Sequence, residues 1–358
     1  MNLPEWSELF GTGPEKREFR LVRKRGELLL LLPCSTADAA RCLDLYPAQT
    51  AKARIARTLL RFAIHLPVLT RVQLPFSETT PFAAFLRGFA KDHFPSVGAL
   101  LGNPRANGRR WVFLCLQRNG RPALVVKAGV SDAARSLISA EADFLSALPA
   151  DFPGRPALVG QLRDAHVHAL ACRYAQGGSP RPDRSEAALA KLLGSWVSPE
   201  RRIPLSNVPA WRRLADALTG DPIFIRIADK LDGLQIAATV MHGDLAPWNI
   251  RAHQGVWTVL DWERGEMLGV PGWDWFHFIL QRAVLVERRS PRALLFTVDA
   301  LLCSALFQDY AARARMAGKE RALLLAYLLY CTAVLKNTEG SSVTTELCKL
   351  LFEQWKDA

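Results

Sequence analysis

The chain has 358 residues, 49% of them hydrophobic and 22% charged, with a formal net charge of +12; length and balance of this kind exclude wholesale disorder and suit two folded domains or more. Its seven cysteines are scattered and odd in number with no C-x-x-C pair, which argues against a zinc site or a disulfide framework and for a reducing cytoplasm. The positive balance favours acidic partners (nucleotide phosphates, phosphorylated substrates, anionic membrane surfaces) without choosing among them.

The opening MNLPEWSELF lacks a basic segment followed by a long apolar run, so no signal peptide is expected. Residues 19–22 and 28–32, joined by the basic turn Arg23-Lys24-Arg25-Gly26 and ended by Pro33, predict a hairpin. Helices are predicted from about residue 36 and about residue 48. In the second, Ile55, Leu59, Phe62 and Leu66 form one apolar stripe, and Arg54, Arg57 and Arg61 fall on a roughly opposed face. Such a helix can lie on a membrane or bind an anionic polymer. The favoured expectation is plainer: a helix packed into an N-terminal domain with its basic face in water. A third short helix starts near Thr80, with Pro81 in its first turn.

From residue 96 to 171 the pattern changes to short strands: 97–101, 110–117 and 123–128, then 158–162 and 166–172. Asn119-Gly120 marks a tight hairpin turn, and GNPRANG at 102–108 a loop. Lys127 stands in the strand LVVKAG and Glu141 in the helical segment SLISAEADFLSAL. After the connector RYAQGG the pattern turns helical, at 186–193, 210–218, 223–234, 273–286, 292–314, 320–335 and 344–355. The most apolar of these stretches, 322–335, is too short to span a bilayer and carries Tyr327, Tyr330 and Thr332, as a buried helix would.

Between residues 241 and 278 the chain gathers His242, Asn249 and the carboxylates Asp244, Asp261, Glu263 and Asp274 among Gly, Pro and Trp, around the apolar run 256–260. Ionised carboxylates beside apolar strands need hydrogen bonds or a cation to offset their desolvation, so a metal-dependent site is the first expectation. In phosphoryl transfer an Asp can accept a hydroxyl proton, an Asn oxygen can complete a Mg²⁺ shell, and a second Asp can bridge the ions.

HGDLAPWN, then LDWE, then GVPGWDWFHF, in that order, resembles the aminoglycoside phosphotransferase and choline kinase group of the protein-kinase-like enzymes. The resemblance implies an α+β, two-lobed kinase-like fold. Residues 1–95 would be an N-terminal extension of unassigned role, 96–172 a small mixed-β lobe, 173–180 a hinge and 181–358 a larger, mainly helical lobe. It implies Asp244 as the catalytic carboxylate and Asn249 and Asp261 as Mg²⁺ ligands. Lys127 would meet the α/β-phosphates, Glu141 would pair with Lys127, and backbone groups around Tyr174 and Ala175 would meet the adenine edge. Asp274 would anchor the catalytic loop by accepting backbone N–H bonds, and His242 would brace it. Glu263 is either a contact to a second metal or substrate hydroxyl, or an ordinary polar contact. GNPRANG departs from the pattern, having fewer glycines than a phosphate-covering loop; no P-loop occurs elsewhere to replace it. Trp248, Trp257, Trp262, Trp273 and Trp275 could wall an acceptor pocket, but core packing is the first expectation for large aromatics near a motif.

The implied activity is transfer of the γ-phosphoryl group of ATP, or of GTP, with Mg²⁺, to a hydroxyl of a small molecule such as an amino alcohol, a sugar or an aminoglycoside-like acceptor. The positive balance leans slightly against a polycationic acceptor. The rival reading is a catalytically silent scaffold whose basic N-terminal region binds an anionic membrane or polymer; retention of Lys127, Glu141, Asp244, Asn249 and Asp261 together argues against it. Peripheral membrane contact is not favoured. Nucleic acid is not expected as a partner, since the basic residues are dispersed and no recognition motif is present. Oligomeric state is not legible.

Overall fold

The computed structural model describes residues 3–90, 94–102, 108–181, 184–335 and 341–355. The chain divides into two compact units, Met1–Ala150 with Pro156–Ala175, and Asp151–Arg155 with Gln176–Ala358.

The first unit begins with helix α1, Pro4–Phe10, which buries Trp6, Leu9 and Phe10. Strands β1 (Glu15–Lys24) and β2 (Glu27–Pro33) form the expected hairpin. Its turn residues Arg25 and Gly26 both take positive φ, 53° and 85°, the geometry that matches the twist of paired strands. Helices α2 (Thr36–Cys42), α3 (Ala51–Ala63) and α4 (Pro81–Arg87) are each started by a hydroxyl cap, from Ser35, Thr50 and Thr80, with strand β3 (Arg71–Phe76) between the last two. Then come β4 (Ser96–Leu101), β5 (Trp111–Leu116), β6 (Pro122–Gly129), helix α5 (Asp132–Ala147), β7 (Leu158–Arg163) and β8 (His168–Arg173). GNPRANG falls largely outside the described residues, at 103–107.

All eight strands form one antiparallel sheet in the order β3-β1-β2-β4-β5-β6-β8-β7. The boundary expected near residue 95 therefore does not separate compact units: β2 of the supposed extension pairs with β4, and the sheet continues through it. Both faces are covered. On β5, Trp111, Phe113 and Cys115 enter one core with Trp6, Phe10, Phe76 and Phe82, while Leu114 and Leu116 enter another with Val22, Leu30, Leu32 and Ile64. That two-sided burial explains why WVFLCL reads as a continuous apolar run rather than an alternation.

Helix α3 keeps Arg54 and Arg61 in water as expected, but turns its larger apolar stripe away from the core. Ile55, Leu59 and Phe62 are 61%, 63% and 68% exposed. The helix packs instead through Ala53, Ala56, Leu60 and the buried Ile64 on the second core. Small alanines allow close approach to the sheet, and that line lies on the side opposite the larger stripe.

The second unit runs α6 (Glu186–Ser195), β9 (Val197–Pro204), α7 (Pro209–Ala217), α8 (Pro222–Lys230), β10 (Gln235–Thr239), β11 (Ile250–His253), β12 (Val256–Val259), α9 (Trp273–Leu285), α10 (Pro291–Leu302), α11 (Ala305–Arg313), α12 (Glu320–Ala333) and α13 (Ser341–Gln354). The pairing of β9 with β10 was not anticipated, and the helix expected over 223–234 stops at Lys230 to feed β10. The long helix expected over 292–314 breaks at Cys303-Ser304, where the Ser304 hydroxyl accepts the Phe307 N–H and starts α11. A sheet-rich unit followed by a mainly helical one is the α+β arrangement the sequence predicts. Among the described residues no single helix is long and apolar enough to cross a membrane.

Candidate active site

In the helical unit, β10 delivers the chain to Met241, whose backbone exchanges hydrogen bonds with Glu266 at 2.9 and 2.8 Å. The loop that follows has little conformational freedom. Gly243 takes φ 78°, and a Cβ there would stand 2.7 Å from the Arg264 carbonyl, so both backbone and space require glycine. Asp274, in the first turn of α9, accepts the N–H groups of His242 at 2.6 Å and Gly243 at 3.0 Å. Burial pushes the Asp274 carboxyl above its ordinary range, against the pull of those amides and of the neighbouring imidazoles.

His242 is fully buried against the edge of Trp262. Its Nδ1 accepts the Asp244 N–H at 3.2 Å, and its Nε2–H donates to the Leu260 carbonyl at 2.8 Å. The ring thus ties the loop that carries Asp244 to the residue before Asp261. Asn249 makes the reciprocal tie: its carbonyl accepts the Leu260 N–H at 2.7 Å, while its Nδ2 donates to the Asp244 carbonyl at 2.9 Å. Asp261, directly after this clamp, has φ 66°, a left-handed conformation uncommon outside glycine and of the kind that gathers at functional sites. Glu263 lies two residues further on the same segment, half-buried.

Asp244 keeps 33% of its side chain exposed, enough for a substrate group to reach it. Its Oδ1 accepts from His277 Nε2 at 2.9 Å, and His277 Nδ1 lies 3.0 Å from the Tyr327 hydroxyl. Burial opposes charge on both partners. The shared hydrogen bond outweighs it, holding the Asp244 carboxyl below its ordinary range, with help from Arg264 and His242, and lifting the His277 imidazole to about 9. The shared hydrogen bond thus favours the charged form of each partner. His277 is the site residue that sequence reasoning missed. A signal was present in WDWFHF, where Asp274 and His277 are three apart and so share a helix face.

In the sheet unit, Lys127 lies on β6 between Val112 and Leu170 of the flanking strands. Its Nζ donates to both Glu141 oxygens of α5, at 2.7 and 2.6 Å. Both side chains are buried. Tyr174 donates its N–H to the Ala123 carbonyl at 2.8 Å and its hydroxyl to Asp44 at 2.9 Å. That N–H is therefore committed to the sheet and is not on offer to a ligand. Among the tryptophans, Trp262, Trp273 and Trp275 are core: all are at most 2% exposed, and the indoles of Trp262 and Trp273 donate to the Val259 and Leu323 carbonyls. Trp248 and Trp257 are half-buried.

Asn249 Oδ1 and the Asp261 carboxylate are hard oxygen donors, and the commitment of Asn249 Nδ2 to Asp244 leaves the amide oxygen as the donor on offer. Such a set suits Mg²⁺ rather than a soft metal.

No family model matches the chain, and no curated protein matches it. Solved structures do. A thermostable mutant of aminoglycoside phosphotransferase APH(4)-Ia, in a ternary complex with ADP and hygromycin B, aligns at 14% identity and a TM-score of 0.48 over 79% of this chain and 100% of its own. Aminoglycoside-3'-phosphotransferase of type VIII aligns at 20% identity and a TM-score of 0.41 over 69% and 96%. A fructosamine-3-kinase candidate from Haemophilus somnus 129PT aligns at 15% identity and a TM-score of 0.45 over 75% and 94%.

Proposed function

We propose that the chain is an ATP- and Mg²⁺-dependent phosphotransferase that moves the γ-phosphoryl group to a hydroxyl of a small molecule. One observation supports this reading above the rest: an accessible carboxylate, Asp244, is held by His277, while its loop is tied through His242 and Asn249 to the segment bearing Asp261. A protein in need of a fold alone has no use for a partly exposed acid among so many restraints.

Asn249 Oδ1 and Asp261 would hold Mg²⁺, which when bound neutralises charge on the transferring phosphate. Lys127, fixed by Glu141, would meet the α/β-phosphates. Asp244 Oδ1 is held by His277 at 2.9 Å, whereas Oδ2 has a long contact of 3.5 Å from Asn249 Nδ2, so Oδ2 is the oxygen that would receive the acceptor O–H. A carboxyl held below its ordinary range is a weak base at neutral pH. Asp244 therefore orients the hydroxyl, and takes its proton late, as the new P–O bond forms and the bond to the departing nucleoside diphosphate breaks. Positioning and charge neutralisation, more than base strength, supply the acceleration.

The acceptor class is an amino alcohol, a sugar or an aminoglycoside-like alcohol. The test is a phosphate-transfer screen over such compounds with ATP and with GTP. Asp244→Ala is expected to retain nucleotide binding and to lose transfer by several orders of magnitude. Equal turnover by the variant would remove Asp244 from the mechanism, and no transfer to any hydroxyl compound would count against the reading.

A further inference from the structure

The stripe of α3 that the fold leaves outside continues past the helix. Leu66 and Val68, in the turns that lead toward β3, are 55% and 64% exposed beside Ile55, Leu59 and Phe62. Exposure this high means that the side chains project as a ridge, and nothing described covers them. Scattered surface apolar residues need no explanation, but three on one helix face followed by two more in the adjoining turns do.

The flanks of the ridge are basic. Residues 51–71 contain Lys52, Arg54, Arg57, Arg61 and Arg71 and no Asp or Glu. On the helical wheel Lys52 lies beside the stripe on one side, and on the other Arg54 and Arg61 stand roughly a quarter-turn beyond Phe62, all three exposed. Asp44 stands 3.9 Å from Arg61, too distant and too exposed to neutralise it.

We propose that this ridge is a docking surface for an anionic lipid bilayer: Ile55, Leu59, Phe62, Leu66 and Val68 enter the boundary between headgroups and acyl chains, and Lys52, Arg54 and Arg61 meet lipid phosphates. Charge and shape select this occupant. An apolar stripe flanked by long basic side chains is the pattern of a helix lying in the plane of a membrane surface. A nucleic acid would use the arginines and leave the apolar ridge in water. A ridge offers neither a groove nor a free strand edge to a peptide. The helix is held to the protein by its opposite, alanine-lined side, so docking needs no unfolding. The inference stands whether or not the chain transfers phosphate.

The test is flotation of the full chain with vesicles of phosphatidylcholine alone and of phosphatidylcholine mixed with phosphatidylglycerol. The chain is expected to float with the mixed vesicles only, and binding is expected to weaken as salt shortens the reach of the charges. Two variants separate the contributions, Leu59→Ser with Phe62→Ser, and Arg54→Gln with Arg61→Gln. Each pair is expected to lower vesicle affinity roughly tenfold or more while melting at the wild-type temperature, because all four side chains are exposed. Failure to float with anionic vesicles would overturn the proposal. So would flotation unchanged by Leu59→Ser with Phe62→Ser, or a solution dimer that this pair dissociates and that does not float.

Discussion

Asp244 and His277 depend on each other across a separation that no local pattern reveals. The spacing of Asp244, Asn249, Asp261 and Asp274 was legible because each lies in a short motif whose chemistry is local. His277 was not, because its partner sits on a loop and it sits on a helix, |i−j| being 33. The pair makes a pH prediction. The His277 value is raised above its unfolded one, so its contribution to stability is fully present below about 6.5 and is lost as pH rises through about 9. The Asp244 value is lowered, so its contribution is present above the ordinary carboxylate range and is lost in acid as pH falls through the lowered folded value. Stability from the pair is therefore greatest at mildly acidic pH, between the ordinary carboxylate range and about 6.5. A His277→Gln variant should lose on the order of 3 kcal/mol there and match the wild type more closely above pH 9. Denaturant unfolding across pH, with NMR titration of the imidazole, checks both; a His277 midpoint near that of free histidine would dissolve the pair.

Among the elements, β6 and α5 share a buried ion pair, and removing Lys127 takes the cation nearest the buried Glu141 carboxylate away. Lys127→Met should destabilise the chain by about 3–5 kcal/mol, and adding Glu141→Gln should restore most of that loss, since a neutral pair packs where a lone carboxylate does not. Denaturant midpoints of the two variants decide it; equal stability for Lys127→Met and wild type would mean that water already reaches Glu141. Elements with a strong core signature were readable from sequence, as the two-sided run of β5 illustrates. Elements without one were not. The β9 segment VSPERRIP is charged and half in water, so it carries no strand signature. Cys303-Ser304 interrupts an otherwise continuous helical pattern at a cap that a serine can supply but need not. For α3 the period was right and the side was wrong, because a line of small residues, Ala53 and Ala56, competed with the larger stripe and won the packing.

At the scale of the molecule, the change from strands to helices near residue 185 was legible, because hydrophobic periodicity switches there. The union of residues 1–95 with the rest of the sheet was not. It rests on β2 pairing with β4 across more than sixty intervening residues, which neither propensity nor period encodes. The net charge of +12 is not spread evenly either: the 51–71 segment is wholly basic, and the cluster of carboxylates lies in 241–278. That contrast fits the two anionic partners proposed above, lipid phosphates at the exposed Lys52, Arg54 and Arg61, and nucleotide phosphates at Lys127 and a divalent cation.

The most direct test of the central claim, that the oxygens of Asn249 and Asp261 bind a nucleotide through Mg²⁺ and that Lys127 meets its phosphates, is a calorimetric titration with ATP, with and without Mg²⁺. It should be run on the wild type, on Asp261→Asn and on the neutralised pair Lys127→Met with Glu141→Gln. Binding by the wild type should depend on Mg²⁺, Asp261→Asn should lose that dependence, and the neutralised pair should bind at least roughly tenfold more weakly. Equal affinity with and without Mg²⁺, or an affinity that neither substitution changes, would contradict the account.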